Sequence, residues 1–181
     1  MKFLGSAIIL TLLITTVFTF LVNAQGEARI TRTWEVQKYD VTATLPTGEA
    51  DRNLTVKALL NVKNASSNPA TTLTLRISDK AEVSDVKVNG APANFSKGVE
   101  KVDTSRNLQR TIVRLPSVAP NGTISVEINY KLKTDENSGL SALSPAGSQF
   151  LPLSFWYPTP NSWYFAHGAD YAPFNLKVNT A

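Results

Sequence analysis

Few residues of this 181-residue chain belong to types that carry chemistry, and their spacing matches none of the common reaction centres. There is one histidine, His167, between Ala166 and Gly168. A catalytic zinc site normally takes three protein ligands, mostly histidine, and a single imidazole cannot supply that set. No His-Glu-x-x-His run occurs. Ser148 follows Gly147, yet the Gly-x-Ser-x-Gly elbow of a serine nucleophile is missing. His167 therefore reads as a loop histidine that hydrogen-bonds a neighbouring backbone group. Asp135-Glu136-Asn137-Ser138-Gly139 has the look of a calcium loop, but Gly139 stands where an oxygen ligand belongs and no bidentate Glu follows at the right distance. It reads as an exposed turn. Glu49, Asp51, Glu100 and Asp103 are isolated carboxylates near turns, and no spacing pairs two of them for acid–base work. No glycine-rich phosphate loop leads from a strand into a helix.

The absence of cysteine removes a disulfide framework, a thiolate zinc site, a cysteine nucleophile and a lipoprotein anchor. No catalytic group, metal ligand set or cofactor site is expected within this chain alone. The net charge of +4 is spread singly among polar positions, whereas a nucleic-acid binder concentrates its basic residues. These lysines and arginines read as solvated faces. Sequons at Asn53, Asn64, Asn94 and Asn121 fall in Asn/Ser/Thr-rich turns, where such triplets arise by chance.

What the chain does concentrate is aromatic side chains. Of 13 aromatics after residue 24, 9 lie between Phe150 and Phe174, including Phe155-Trp156-Tyr157 and Trp163-Tyr164-Phe165. They sit in a Gly/Pro/Ser-rich stretch, residues 138–173, predicted as a long loop. Such a loop must pack on its own domain, on a partner or around a ligand. Ring stacking on a sugar is one use. Filling a core or a domain interface is the other, and large aromatics dominate such burial.

The elements that must position this loop are strands. Tyr39, Val41, Ala43 and Leu45 alternate with polar residues, as do Leu54, Val56, Ala58, Leu60 and Val62. Leu73, Leu75 and Ile77 form a third run, and Asn64 to Pro69 reads as a polar turn before it. Val86 and Val88 lead into Asn89-Gly90, a tight-turn pair tolerant of positive φ. Ile112 to Leu115 reads as a short strand, and Pro120-Asn121-Gly122 as a turn. Ile124, Val126, Ile128, Tyr130 and Leu132 alternate cleanly, and a last strand carries Phe174, Leu176 and Val178. With no 3.6-residue period and no repeat, the expected fold is all-β: an antiparallel sandwich or saddle with the aromatic loop before its last strand.

The first 24 residues read as a signal peptide. Lys2 is a minimal basic n-region, Phe3 to Val22 is uncharged and largely apolar, and Val22-Asn23-Ala24 offers a cleavage site before Gln25. An uncleaved anchor is the other reading of that run. Either way the expectation is an exported protein, periplasmic or secreted, with one domain over residues 25–181.

The order of these pieces resembles the N-terminal domain of zinc aminopeptidases of the membrane alanyl aminopeptidase family, the gluzincins. Trp34 to Leu45 is similar to that domain's opening strand. Val83-Ser-Asp-Val-Lys-Val-Asn-Gly90 is similar to its Val-x-Val-Asn-Gly hairpin, and Ile112 to Leu132 to the paired strands that follow. Phe155-Trp-Tyr-Pro158 and Asp170-Tyr-Ala-Pro-Phe-Asn-Leu-Lys-Val178 resemble its close. The resemblance implies a non-catalytic β domain that packs on a C-terminal thermolysin-like catalytic domain and walls its substrate cleft. Zinc and the substrate motif would belong to that other domain, and a peptide would be the substrate. Trp156, Tyr157, Trp163, Tyr164 and Asp170 are the interface or cleft-wall candidates. Asn161 departs from the family, which often has an aspartate there, so substrate contact at this edge is in doubt. From another class, the same features suit a free-standing extracytoplasmic module that binds glycans or cell-surface polymers.

Overall fold

The alternating runs become long strands whose apolar faces meet. The computed structural model describes residues 33–48, 50–102, 104, 106–144, 147–160 and 172–180. The expected signal segment, residues 1–24, lies outside them. Eleven strands follow in order: β1 (Trp34–Thr44), β2 (Asn53–Asn64), β3 (Ala70–Ser78), β4 (Ala81–Val88), β5 (Ala91–Pro92), β6 (Phe95–Lys101), β7 (Asn107–Val118), β8 (Thr123–Lys133), β9 (Ser141–Ser144), β10 (Gly147–Phe150) and β11 (Phe174–Asn179). A single 3-10 turn spans Pro152–Ser154, and no α-helix occurs among the described residues.

The large sheet has the order β11-β1-β2-β8-β4-β5, and a three-stranded sheet the order β3-β7-β6. Val41, Ala58, Leu60, Val62, Val126 and Ile128 from the first and Leu73, Leu75, Ile77 and Val113 from the second are buried in one cluster, so the two sheets share a single core. The Trp34 indole donates to the Thr72 carbonyl at 3.0 Å, tying β1 to β3 across the two layers. This is the expected all-β sandwich.

Three details depart from the sequence reading. The final pairing is parallel: β11 runs beside β1 with Tyr39 opposite Phe174 and Thr44 opposite Asn179, so the large sheet is mixed rather than purely antiparallel. The run at Ile112 to Leu115 is the centre of a twelve-residue strand, β7, whose ladder with β3 is interrupted between Ala70 and Thr72. Pro116, which has no N–H to offer, stands opposite that interruption. The stretch 138–173 is only partly a loop, because β9 and β10 form a hairpin within it.

Bulges reset the alternation. The register of β1 shifts between Val36 and Lys38, which lets Trp34 and Val36 share the buried face with Tyr39, Val41 and Ala43. The shift between Val83 and Asp85 does the same for β4. Asn89 (φ 51°) and Gly90 (φ 81°) form the predicted two-residue turn, with Val88 opposite Ala91. At the second predicted turn Asn121 has φ 62°, and a Cβ on Gly122 would lie 2.9 Å from the Ala119 carbonyl oxygen, so the position requires glycine.

Candidate functional site

The described part of the aromatic stretch, residues 150–160, bridges β3 of one sheet and the β1–β11 edge of the other. Its entry is set by Phe155, held at φ 51° with its N–H bonded to the Pro152 carbonyl. A left-handed, bulky residue is costly, and here its surroundings fix it. The Phe155 carbonyl accepts from Ser78 N–H at 2.9 Å. Thr159 then pairs with Arg76 in both directions, at 2.7 and 2.9 Å. Residues 155–160 thus add a strand-like rim to β3. Arg76 locks it: its Nη1 donates to the Pro160 carbonyl at 2.7 Å and its Nε reaches both Glu100 carboxylate oxygens at 2.9 Å.

The rings of this rim interlock with the other edge. Trp156 and Tyr157 meet edge to face at 5.2 Å, and Tyr157 meets Tyr39 of β1 at 5.5 Å and Phe174 of β11 at 5.2 Å. Phe150 lies 6.1 Å from Trp156. These are the offset and T-shaped separations aromatic pairs favour. From below, the buried Tyr130 of β8 donates its hydroxyl to the Trp156 carbonyl at 2.6 Å. Burial raises the Tyr130 phenol well above its ordinary pKa, and partial burial raises that of Tyr157.

Of the sequence candidates, Trp156 is only 7% exposed and fills this domain's own core. Tyr157 is half-buried and keeps part of its ring at the surface. The structure brings these two together. Trp163, Tyr164, Asp170 and also His167 lie outside the described residues. The sequence did not mark the exposure of several described apolar groups: Leu151 and Leu153 around the 3-10 turn, and Phe174, Leu176 and Val178 on β11. The β11 alternation was visible, but its exposure depends on which strand lies beyond it, which is non-local.

Two of the carboxylates weighed for catalysis, Glu100 and Asp51, have structural partners. Glu100 holds Arg76, and Asp51 accepts from Asn53 N–H at 3.0 Å. Glu49 and Asp103 lie outside the described residues. Ser148 sits in the β9–β10 hairpin opposite Leu143. Asp135 borders a shallow cleft of about 170 Å³ with Ser78, Lys80 and Thr134. There it bridges Lys133 at 2.7 Å and Lys80 at 3.1 Å, and the hydrogen bond from Lys133, then that from Lys80, holds its carboxyl below the usual range. Asn64, read as the start of a polar turn, is the buried last residue of β2. Its Nδ2 donates to the carbonyls of Asn68, Val118 and Ala119, and its Oδ1 accepts from Ser66. Among the described residues no three His, Cys, Asp or Glu side chains gather as a metal site would require. The described residues therefore offer no donor set of the kind a catalytic zinc ion takes.

No protein-family model matches the chain, and no curated protein sequence does. Solved structures do match its fold. An M1 zinc metallopeptidase from Deinococcus radiodurans superposes with a TM-score of 0.58 at 21% identity, over 82% of this chain and 33% of that one. Native leukotriene A4 hydrolase from Saccharomyces cerevisiae gives 0.59 at 14% identity, over 90% of this chain and 27% of that one. The Deinococcus enzyme as an E323A mutant bound to a Tyr-Ser-Ala substrate gives 0.55 at 19% identity. The chain thus spans a third or less of the length of these neighbours. At such identities the likeness establishes the fold, one of the kind found in M1 metallopeptidases. It extends to leukotriene A4 hydrolase and does not single out the membrane alanyl group.

Proposed function

We propose that this chain is the non-catalytic N-terminal domain of an exported, M1-type zinc aminopeptidase-like protein, and that it packs on a catalytic domain and shapes one wall of its substrate cleft. The observation that carries the reading is the fold likeness to an M1 zinc metallopeptidase over 82% of this chain and to leukotriene A4 hydrolase over 90%, in each case over a third or less of the neighbour's length. Zinc would be held by the catalytic domain, and no step of a metal-dependent reaction is assigned to the residues described. The contribution of this domain is shape. A rim pinned by Arg76 and Tyr130 presents Tyr157, with Leu151 and Leu153 exposed where the rim begins, as an apolar surface for another domain. Large half-exposed apolar groups of this kind mark contact surfaces. The ordered sequence resemblance and the apolar leader before Gln25 support the family and the export, respectively.

The test compares two proteins. The whole parent protein should release N-terminal residues from short peptides in a chelator-sensitive way, and residues 25–181 alone should not. A parent without peptidase activity, or activity in residues 25–181 by themselves, would overturn the reading. The alternative binding module gains no support from Trp156, whose ring is buried; it would have to use Tyr157 and residues outside the described set.

A further inference from the structure

We propose that β11 is a homodimerisation edge, through which two copies of this chain join their large sheets antiparallel about a two-fold axis at Leu176. The inference rests on the fold alone and holds whichever function applies.

The two main sheets have four edges, and three of them are blunted. β5 is two residues long and ends in Pro92. β6 carries Lys97, Glu100 and Lys101. β3 is covered at Arg76 by the Thr159 pairing. Short edges, charges, proline and covering segments are the devices by which sheets avoid joining. β11 has six residues, Phe-Asn-Leu-Lys-Val-Asn, with no proline, and its register with β1 is unbroken. Among the described residues no strand pairs with its outer side.

The direction of its free backbone groups follows from two bonds. Tyr39 N–H donates to the Pro173 carbonyl and Leu45 N–H to the Asn179 carbonyl, both at 2.9 Å. Odd-numbered residues therefore turn their backbone groups toward β1. Phe174, Leu176 and Val178 turn theirs outward, since the direction alternates along a strand. The same three residues carry the exposed apolar row, at 37%, 50% and 50% exposure, continuing the Tyr39, Val41 and Ala43 row of β1.

The pattern is self-complementary. A two-fold axis at Leu176 sets Leu176 against Leu176 of the second copy and Phe174 against Val178. Each is a pairing in which both residues exchange N–H···O bonds, which gives about six in all. The apolar rows then merge on one face. On the other face Lys177 falls opposite Asn175, which itself donates to Asp40 at 2.7 Å. Lysine thus meets a polar row that already holds a carboxylate, with Lys38 2.9 Å from the same group. A register centred on Lys177 would instead oppose like charges.

The experiment measures the mass of the full chain by sedimentation equilibrium between about 1 and 100 µM, a range that brackets micromolar dissociation constants. The expected result is a concentration-dependent dimer. Leu176→Lys, which opposes two charges at the axis, should weaken it on the order of tenfold or more. In this cysteine-free chain, Leu176→Cys should form an intermolecular disulfide under oxidised glutathione, while Val99→Cys, at a 71% exposed position on β6, should not. The cysteine pair remains informative if the lysine variant fails to fold. A monomer throughout the range, a dimer unaffected by Leu176→Lys in folded protein, or equal cross-linking at 99 and 176 would overturn the proposal.

Discussion

The Tyr130 hydroxyl donates a 2.6 Å hydrogen bond to the Trp156 carbonyl, and so the central strand of the large sheet holds the aromatic rim from inside the core. Replacing Tyr130 with Phe leaves that buried carbonyl without its donor, at a cost of about 1–3 kcal/mol. The pH dependence follows from the same burial. The folded pKa of Tyr130 is raised above the ordinary value of 10.0. Its stabilising contribution is therefore complete below pH 10 and is lost as pH rises from there toward the folded pKa. Urea titrations from pH 8 to 11 should show a decline above pH 10 that is smaller in Tyr130→Phe; Tyr157, also raised, accounts for part of the remainder.

Thr111 predicts the opposite sign. It is fully buried on β7, and its hydroxyl has no hydrogen-bond partner among the described residues. Thr111→Val keeps the shape and removes a buried polar atom, so it should stabilise the fold by about 1 kcal/mol. A higher urea midpoint with unchanged slope checks it.

Asn64 knots the end of β2 to the β7–β8 turn. Asn64→Ala takes the side-chain donor from the buried Val118 carbonyl, while the Asn68 and Ala119 carbonyls keep Ser66 Oγ and Gly122 N–H, and should cost about 1–3 kcal/mol. Amide exchange should accelerate first at Ser66, Asn121 and Gly122, whose backbone groups meet around it.

These sites show what the sequence could and could not reveal. β1, β2 and β8 were legible because each buries one face along its whole length, and period-two alternation records that. β6 was not, since Phe95–Lys101 lies at an edge with neither face fully covered, so its pattern carries no alternation. The parallel β1–β11 pairing joins positions 135 residues apart and leaves no local trace. For the candidate site, composition pointed to Trp156 and Tyr157, but not to which ring the core would take. Arg76, the residue that fastens the rim, had no signal beyond being an arginine inside an apolar run.

Arg76 therefore supplies a test of the rim. It is about one-fifth exposed and bonds Glu100 and the Pro160 carbonyl together. Arg76→Ala should cost about 2–3 kcal/mol, because it strands a half-buried carboxylate. Limited proteolysis should then cut within residues 155–160 faster than in the parent, while the β2–β8 ladder keeps its amide protection.

A β domain that serves a zinc peptidase should be encoded in the same reading frame as the catalytic domain. Sequencing the gene beyond the codon for Ala181 tests it most directly. The expected result is an open frame of several hundred codons containing His-Glu-x-x-His, with a further glutamate ligand about twenty residues later. A stop codon directly after Ala181, or a long frame lacking that motif, would contradict it.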